Sequence, residues 1–526
     1  MMEQKAENRK LLRSTFTVTA PTLISRVLGY FRDMIQAFYL GTGTNADAFT
    51  MAYVIPNLLR RLTGEGAMTA AFIPVFTQVK KEKKKEELWK FANAFFFDLT
   101  LIMALLTVLG IIFSPFLVKV IAFGFKQVHG KWDLTLVLTR IMFPYIFLIS
   151  LAALAMAILN SFKKFFVPAF TPVLFNLSII AVAVFFAPMA EEPAFVFAAG
   201  VVIGGVFQLC FQLPFLWKKG MRFKIGLSFR HPAVRKVAVL MVPGIFGVGI
   251  SQINFAISRM IASFLEGGSV SSLYYASRIQ ELTLGLFSIA LSIALLPTFS
   301  ELVARNNIKK MKETLNFSIK LIFWITFPAM AGLIVLNYPI IQVLYQRGVF
   351  DVQSTAMSAS CLLFFSFGIP FISGVKIIAP AFYALKDTKT PVVVAFFVML
   401  GYISLSLILM KPMRVGGIAL ALSLSSIFNF FLLFYLLEKK IGRIENKGIL
   451  IYALKSAFSA AVMGCAIWFF MKQFEFNNYI FMKQLFVLLS AILLGILIYI
   501  VLNLLFNHED LKSLISAFSG KRMPKN

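Results

Sequence analysis

Apolar runs long enough to cross a lipid bilayer recur from one end of this chain to the other, and they dictate its fold class. A span needs about 20 mostly apolar residues. Candidates lie at 14–40, 46–79, 88–123, 134–162, 165–188, 193–217, 237–265, 270–303, 309–337, 352–386, 390–410, 415–437, 449–473 and 479–507, fourteen in all. In hydrocarbon each backbone polar group must be satisfied within its own segment, so such runs fold as helices. The expectation is an all-α polytopic membrane protein. Of 526 residues 59% are hydrophobic and 14% charged. A soluble domain has about 45–50% and about 25%, so the surplus apolar surface has to face lipid.

The net charge is +28. In a soluble protein that would suggest nucleic acid. Here the cations gather in short connections between apolar runs, as in cytoplasmic loops beside anionic headgroups. With the N-terminal tail inside, the inside connections hold Lys80, Lys81 and Lys83–Lys85, then Lys163-Lys164, then the stretch from Lys218 to Lys236. Further on come Arg305 with Lys309-Lys310, Lys386 with Lys389, Lys439-Lys440 with Arg443, and the C-terminal Lys512, Lys521, Arg522 and Lys525. The outside connections are mostly free of Lys and Arg. The exceptions are Lys126 and Lys131, Arg347, and Lys411 with Arg414. This alternation places both termini in the cytoplasm. The apolar run after Arg13 continues past Tyr39 and carries Arg26, Arg32 and Asp33, unlike a cleavable signal. The tail from residue 508 reads either as an interfacial helix (Leu511, Leu514, Ile515, Phe518) or as a soluble one.

A faint internal repeat runs at an offset of 223–226 residues. Ala71-Phe72-Ile73-Pro74-Val75-Phe76-Thr77 resembles Ala294-Leu295-Leu296-Pro297-Thr298-Phe299-Ser300. Pro115 with Phe123-Gly124-Phe125 resembles Pro339 with Arg347-Gly348-Val349-Phe350, while Pro21 matches Pro243 and Pro144 matches Pro370. The offset covers six spans, and an even number preserves orientation, so the repeats are parallel. Two six-helix lobes around a central cavity follow, with two C-terminal helices added. The boundaries are 1–225 for spans 1–6, 226–445 for spans 7–12, 446–507 for spans 13–14 and 508–526 for the tail.

Charges within spans are costly: about 2.5–3.5 kcal/mol for an Arg at the bilayer centre. The first two spans hold Arg26, Arg32, Asp33, Asp47, Arg60, Arg61 and Glu65, and the second lobe holds Arg259, Arg278, Glu281 and Lys376. Arg61 and Glu65 are i, i+4, and Arg278 and Glu281 are i, i+3, so each pair shares a helix face. Arg32 and Asp33 are adjacent and are not expected to face each other. Arg26 and Arg60 have no local partner within a turn. A cation inside a lobe wants an anion from another helix or from a substrate, and the planar guanidinium fork suits phosphate. Structural pairing or snorkelling accounts better for Arg13, Arg140 and Lys320.

Enzyme chemistry finds no footing. Cys210, Cys361 and Cys465 lie far apart in apolar runs, and His129, His231 and His508 show no ligand spacing. No metal site, cofactor or catalytic cluster of nucleophile and base is expected, nor is there a phosphate-cradling P-loop.

One series of residues is specific to a family. Thr22-Leu23-Ile24-Ser25-Arg26-Val27-Leu28-Gly29-Tyr30-Phe31-Arg32-Asp33 is followed by Ala46-Asp47-Ala48-Phe49, then Ile55-Pro56-Asn57-Leu58-Leu59-Arg60-Arg61-Leu62, Gly64-Glu65-Gly66-Ala67 and Ala71–Phe76. Later come Gly268-Ser269-Val270-Ser271, Tyr274-Tyr275-Ala276-Ser277-Arg278 and Leu295-Leu296-Pro297. The series resembles the MurJ (MviN) family of bacterial lipid II flippases, in the superfamily that also holds the MATE multidrug exporters. The resemblance implies transport of lipid II, the undecaprenyl-pyrophosphate-linked disaccharide pentapeptide, from the inner to the outer leaflet of the plasma membrane. It implies substrate-binding roles for Arg26, Arg32, Arg60, Arg278 and Ser271, and a polyprenyl-tail groove at spans 13–14. Asp47, Arg61, Glu65 and Glu281 are expected to gate or to pair charge, with Asp47 and Glu65 holding arginines when substrate is absent. Some relatives bind sodium through acids on spans 7 and 11. No Asp or Glu lies between Asp387 and Glu438 here, so that site does not carry over and the coupling ion stays open.

The remaining alternatives are a MATE-type exporter, another lipid-linked oligosaccharide flippase and a membrane scaffold. An exporter of cations would need carboxylates in excess of basic groups. For an anionic headgroup the membrane potential is itself a drive: two net negative charges moving outward gain about 4–5 kcal/mol per 100 mV.

Overall fold

The computed structural model describes residues 2–60, 68–226, 228–444 and 446–506. All regular structure among them is helical. The chain divides into two compact units, the first running to Ser271 and taking in Arg347–Phe350, the second holding the rest.

The first unit contains α1 (Met2–Leu40), α2 (Thr44–Ala52), α3 (Val54–Arg60), α4 (Met68–Glu82), α5 (Lys85–Ile112), α6 (Ser114–Ile121), α7 (Lys131–Met142), α8 (Pro144–Ser161), α9 (Phe166–Phe186), α10 (Pro193–Cys210), α11 (Leu213–Lys218) and α12 (Pro232–Ala262). Here α9 packs between α1 and α10, α8 lies against α4, α5 and α10, and α12 lies along α4. The buried face of α8 is rich in alanine, with Ala152, Ala153, Ala155 and Ala157 sealed from solvent. Small residues let helix backbones approach closely where no hydrophobic effect drives them together. The rings of Phe72, Phe76, Phe91 and Phe95 fill the space between α4 and α5.

The second unit contains most of α13 (Ser269–Ala304), then α14 (Ile308–Val335), α15 (Asn337–Tyr345), α16 (Val352–Ser366), α17 (Ile369–Ala384), α18 (Lys389–Ile441), α19 (Asn446–Lys472) and α20 (Phe481–Phe506). Its core joins α14 to α17 and α19, with α18 against α16 and α17, and α20 on α19.

Among the described residues nine stretches are long and apolar enough to cross a membrane, and a tenth if α16 and α17, bent by 46°, form one broken span. One of the nine is the 53-residue α18, which covers both 390–410 and 415–437. It breaks at Arg414, where φ of 50° and ψ of −133° leave the helical region just past Pro412. The run at 46–79 is divided among α2, α3 and α4. Ile112, Phe116, Phe186, Phe486 and Leu493 are all more than half exposed. That would be untenable in water and is ordinary against lipid.

The basic connections are built turns. After α8, Lys163 adopts φ of 57°; its N–H donates to Asn160 O at 2.8 Å, and Lys164 N–H to Leu159 O at 3.0 Å. After α17, Lys386 adopts φ of 58°, and the same two bonds recur to Tyr383 O at 3.0 Å and from Asp387 to Phe382 O at 2.9 Å. These are left-handed helix caps made without glycine. They stand at corresponding positions of the sequence repeat.

Candidate functional site: buried charges in the helices

Asp47 has no exposed surface and lies in the first turn of α2. Its Oδ2 accepts from Lys131 Nζ at 2.7 Å and from the Gly268 N–H at 2.8 Å. Its Oδ1 accepts from the Ser271 N–H at 2.8 Å and from Ser271 Oγ at 2.7 Å. Gly268 and Ser271 bracket the start of α13, so Asp47 caps that helix from a distance. Its charge also meets the positive end of the helix dipole. Gly268 has φ of 92°, and a Cβ there would strike the carbonyl of Thr42.

Two expectations are corrected. Asp47 holds Lys131 and a helix terminus, not an arginine. Lys131 is no loop cation: it is the first residue of α7, 1% exposed, with its ammonium 4.1 Å from the Phe125 ring centroid. A lysine at a helix N-terminus opposes the dipole, and that was the sequence signal that it needs its own acid.

Arg32 and Asp33 also depart from expectation, because they do face each other. Arg32 Nη2 lies 2.7 Å from Asp33 Oδ1, with Asp33 1% exposed. The long arginine side chain curls over the hundred-degree step between neighbours. The guanidinium also donates to Asn176 Oδ1 of α9 at 3.2 Å, while Asn176 Nδ2 donates to Ser25 O at 2.9 Å. Asn176 thus stitches α9 to α1. Arg60, expected to lack a local partner, donates to Asn57 Oδ1 at 3.1 Å from Nη2 and 3.3 Å from Nε. Arg26 is exposed on α1, and no ion pair reaches it among the described residues. Arg61 and Glu65 lie outside the described residues, as does the tail from residue 508.

In the second unit Arg278 Nη1 pairs with Glu281 Oε2 at 3.1 Å, and its guanidinium lies 5.6 Å from the Tyr274 ring centroid. Lys376 of α17 is within electrostatic reach of the same Glu281.

Asp98, inside α5, is not among the expected site residues, although an acid within the apolar run 88–123 was a signal. It is 2% exposed; Oδ1 accepts from the Ser228 N–H at 2.9 Å, while Oδ2 has no hydrogen-bond partner among the described residues. With Asn93 Oδ1, which accepts from the Lys224 N–H at 3.3 Å, it ties the 219–231 connection to α5.

Outside the spans, Asp387 accepts from Lys440 Nζ at 2.6 Å, from the Thr390 N–H at 3.0 Å and from Thr390 Oγ1 at 2.8 Å. The lysine and the capped amide together pull its carboxyl down to about 2. Asp351, capping α16 through the Ser354 N–H at 2.7 Å, is held below the usual carboxylate range by that bond. Among the described residues no three His, Cys, Asp or Glu side chains gather in a way that could hold a metal ion.

With nine or ten apolar helical stretches long enough to cross a membrane among the described residues, and with the Arg32–Asp33 and Asp47–Lys131 pairs buried in the helices, this is a polytopic membrane protein. The family model described as lipid II flippase MurJ matches residues 36–504. A probable lipid II flippase MurJ of Vibrio cholerae is 36% identical, over 88% of this chain and 89% of that one. The lipid II flippase MurJ of Burkholderia cenocepacia is 34% identical, over 93% and 97%. A solved structure of lipid II flippase MurJ in an inward closed conformation superposes with a TM-score of 0.79 at 29% identity, covering 94% of this chain and 99% of that one. An inward-facing MATE family transporter shares the fold at a TM-score of 0.66 and 13% identity, over 82% and 99%. This chain belongs to the MurJ family.

Proposed function

We propose that this chain is a lipid II flippase of the bacterial inner membrane, a transporter and not an enzyme. It moves the undecaprenyl-pyrophosphate-linked peptidoglycan precursor from the inner to the outer leaflet by alternating access. The near full-length match to the family carries this reading, and the chemistry of the cations supports it. Arg26 is exposed and unpaired among the described residues. Arg60 has the neutral Asn57 as a hydrogen-bond partner. Arg278 pairs with Glu281, which is also within electrostatic reach of Lys376. A diphosphate offers such guanidinium groups stronger, bidentate partners.

The roles divide accordingly. Arg26, Arg32, Arg60 and Arg278 bind the phosphates. Ser271 also contacts the substrate; Asp47, which accepts from its N–H and Oγ, belongs to gating, and Arg61, Glu65 and Glu281 pair charge. The lobes are 1–225 and 226–445, both termini are cytoplasmic, and α19 and α20 take the polyprenyl tail. Their outward Leu454, Phe458, Phe486 and Leu493 suit a hydrocarbon chain. Outward movement of the anionic headgroup is driven by the membrane potential.

The test is complementation of cells depleted of their own lipid II flippase. The wild-type chain restores growth, whereas Arg26→Ala, Arg60→Ala and Arg278→Ala each fail at unchanged protein level. Full activity in all three would remove the phosphate clamp. Lipid II translocation that persists with the potential collapsed would rule out that drive.

A further inference from the structure

At the start of α12, Arg230, Pro232, Arg235, Lys236, Val239 and Leu240 line a concavity of about 470 Å³. Its polar end holds three cations and no acid. Arg230 and Arg235 are exposed, and neither has an ion pair among the described residues. Lys236 donates one bond, to Gln78 Oε1 at 2.8 Å, which leaves two of its three N–H groups. Helical spacing places Arg235 one turn before Val239 and Lys236 one turn before Leu240, on shared faces. Val239 is 64% exposed and Leu240 48%. The first turn of α12 adds its positive dipole end. His231 supplies a cap through Nδ1, which accepts from the Ala233 N–H at 3.2 Å.

From one end to the other, the concavity thus offers cations first and bare aliphatic surface one turn deeper. A soluble phosphate would use the first part and leave the second unexplained. A membrane phospholipid presents the same order, phosphate and then acyl chain. We infer that this pocket is a binding site for an anionic phospholipid, its phosphate on Arg230, Arg235 and Lys236 and an acyl chain along Val239 and Leu240. None of its lining residues is among the arginines assigned to the transported substrate, and the proposal does not depend on what that substrate is.

The experiment uses the purified full-length chain. Phosphatidylglycerol and phosphatidylcholine are offered in competition, and the lipid retained is read by native mass spectrometry. Wild type retains phosphatidylglycerol preferentially, and the preference falls about fivefold for each cation removed in Arg230→Gln, Arg235→Gln and Lys236→Gln. A matched triple elsewhere, Lys309→Gln, Lys310→Gln and Lys439→Gln, keeps the preference. Equal loss in both triples would reduce the effect to bulk charge and overturn the site, as would no loss in the first. Displacement of the lipid by millimolar inorganic diphosphate would also overturn it, in favour of a soluble anion. Hydrogen exchange on the wild type provides a second reading should the first triple fold poorly. Amides of residues 228–240 are protected by phosphatidylglycerol and not by phosphatidylcholine, and unchanged exchange would defeat the proposal.

Discussion

Lys131 Nζ lies 2.7 Å from Asp47 Oδ2, and the two side chains are 2% and 1% exposed. Removing one partner of a buried pair strands the other's charge, at about 3–5 kcal/mol, whereas removing both charges is far milder. Lys131→Met alone should therefore lower thermal stability strongly. Adding Asp47→Asn should restore more than half the loss, since the amide oxygen still accepts from the α13 terminus. Thermal unfolding of the four proteins in detergent checks this. Additive losses would show that the two residues are not coupled.

Asn176 provides a second test of the polar stitching. It accepts from Arg32 and donates to the Ser25 carbonyl. Asn176→Leu would leave part of a half-buried guanidinium without its acceptor, a cost of about 1–3 kcal/mol. An apolar change at Leu177, exposed on the same helix, such as Leu177→Ile, should cost little in detergent. Equal melting temperatures for Asn176→Leu and wild type would mean that the α1–α9 packing needs no polar link.

What the sequence disclosed follows from range. Apolar runs, the helical class and the Arg278–Glu281 pair are local properties, written in composition and in i, i+3 spacing. The turn at Lys386 could be anticipated from Lys163 through the repeat. The Asp47–Lys131 pair joins residues 84 apart, and nothing in spacing links them; Lys131 looked like an exception to the positive-inside pattern because its acid lay on another helix. Asp98 was visible as an acid inside the run 88–123, but its partner was not, because Ser228 comes to it from a distant connection. Arg32 and Asp33 misled because face arguments follow Cβ directions, while an arginine has the reach to cross them.

The Asp387 cluster predicts a pH dependence. Its carboxyl sits at about 2 when folded, below its ordinary value of about 3.9 in an unfolded chain. A depressed carboxyl contributes stability that is fully present above the unfolded value and is lost as pH falls through the folded one. Asp387→Asn should thus be less stable than wild type at pH 7 and at pH 5. The gap should narrow below about pH 4 and close near pH 2, the folded value. Unfolding of both proteins across that range, at constant ionic strength, measures it. The absence of a gap at every pH would mean that Asp387 acts through its cap alone, which asparagine largely keeps.

Two glycines occupy matching places in the repeat, and both meet the end of another helix. A Cβ on Gly124 would collide with the carbonyl of Ser263, and one on Gly348 with the carbonyl of Phe38. Each contact is backed by a bond: the Gly124 N–H donates to Ser263 Oγ at 3.3 Å, and the Val349 N–H to Phe38 O at 2.9 Å. Backbone cannot yield as a flexible side chain would, so Gly124→Ala and Gly348→Ala should both lower the melting temperature. Gly348 has φ of 60°, which adds about 1–2 kcal/mol of left-handed strain to the collision, so its substitution should be the worse of the two. Gly401, where an added methyl would meet nothing within 4 Å, is the control: Gly401→Ala should be neutral or slightly stabilising, as alanine is the better helix former. If Gly348→Ala melted no lower than Gly401→Ala, the close approach at Phe38 would be dispensable, and these contacts would have no part in holding the helix ends together.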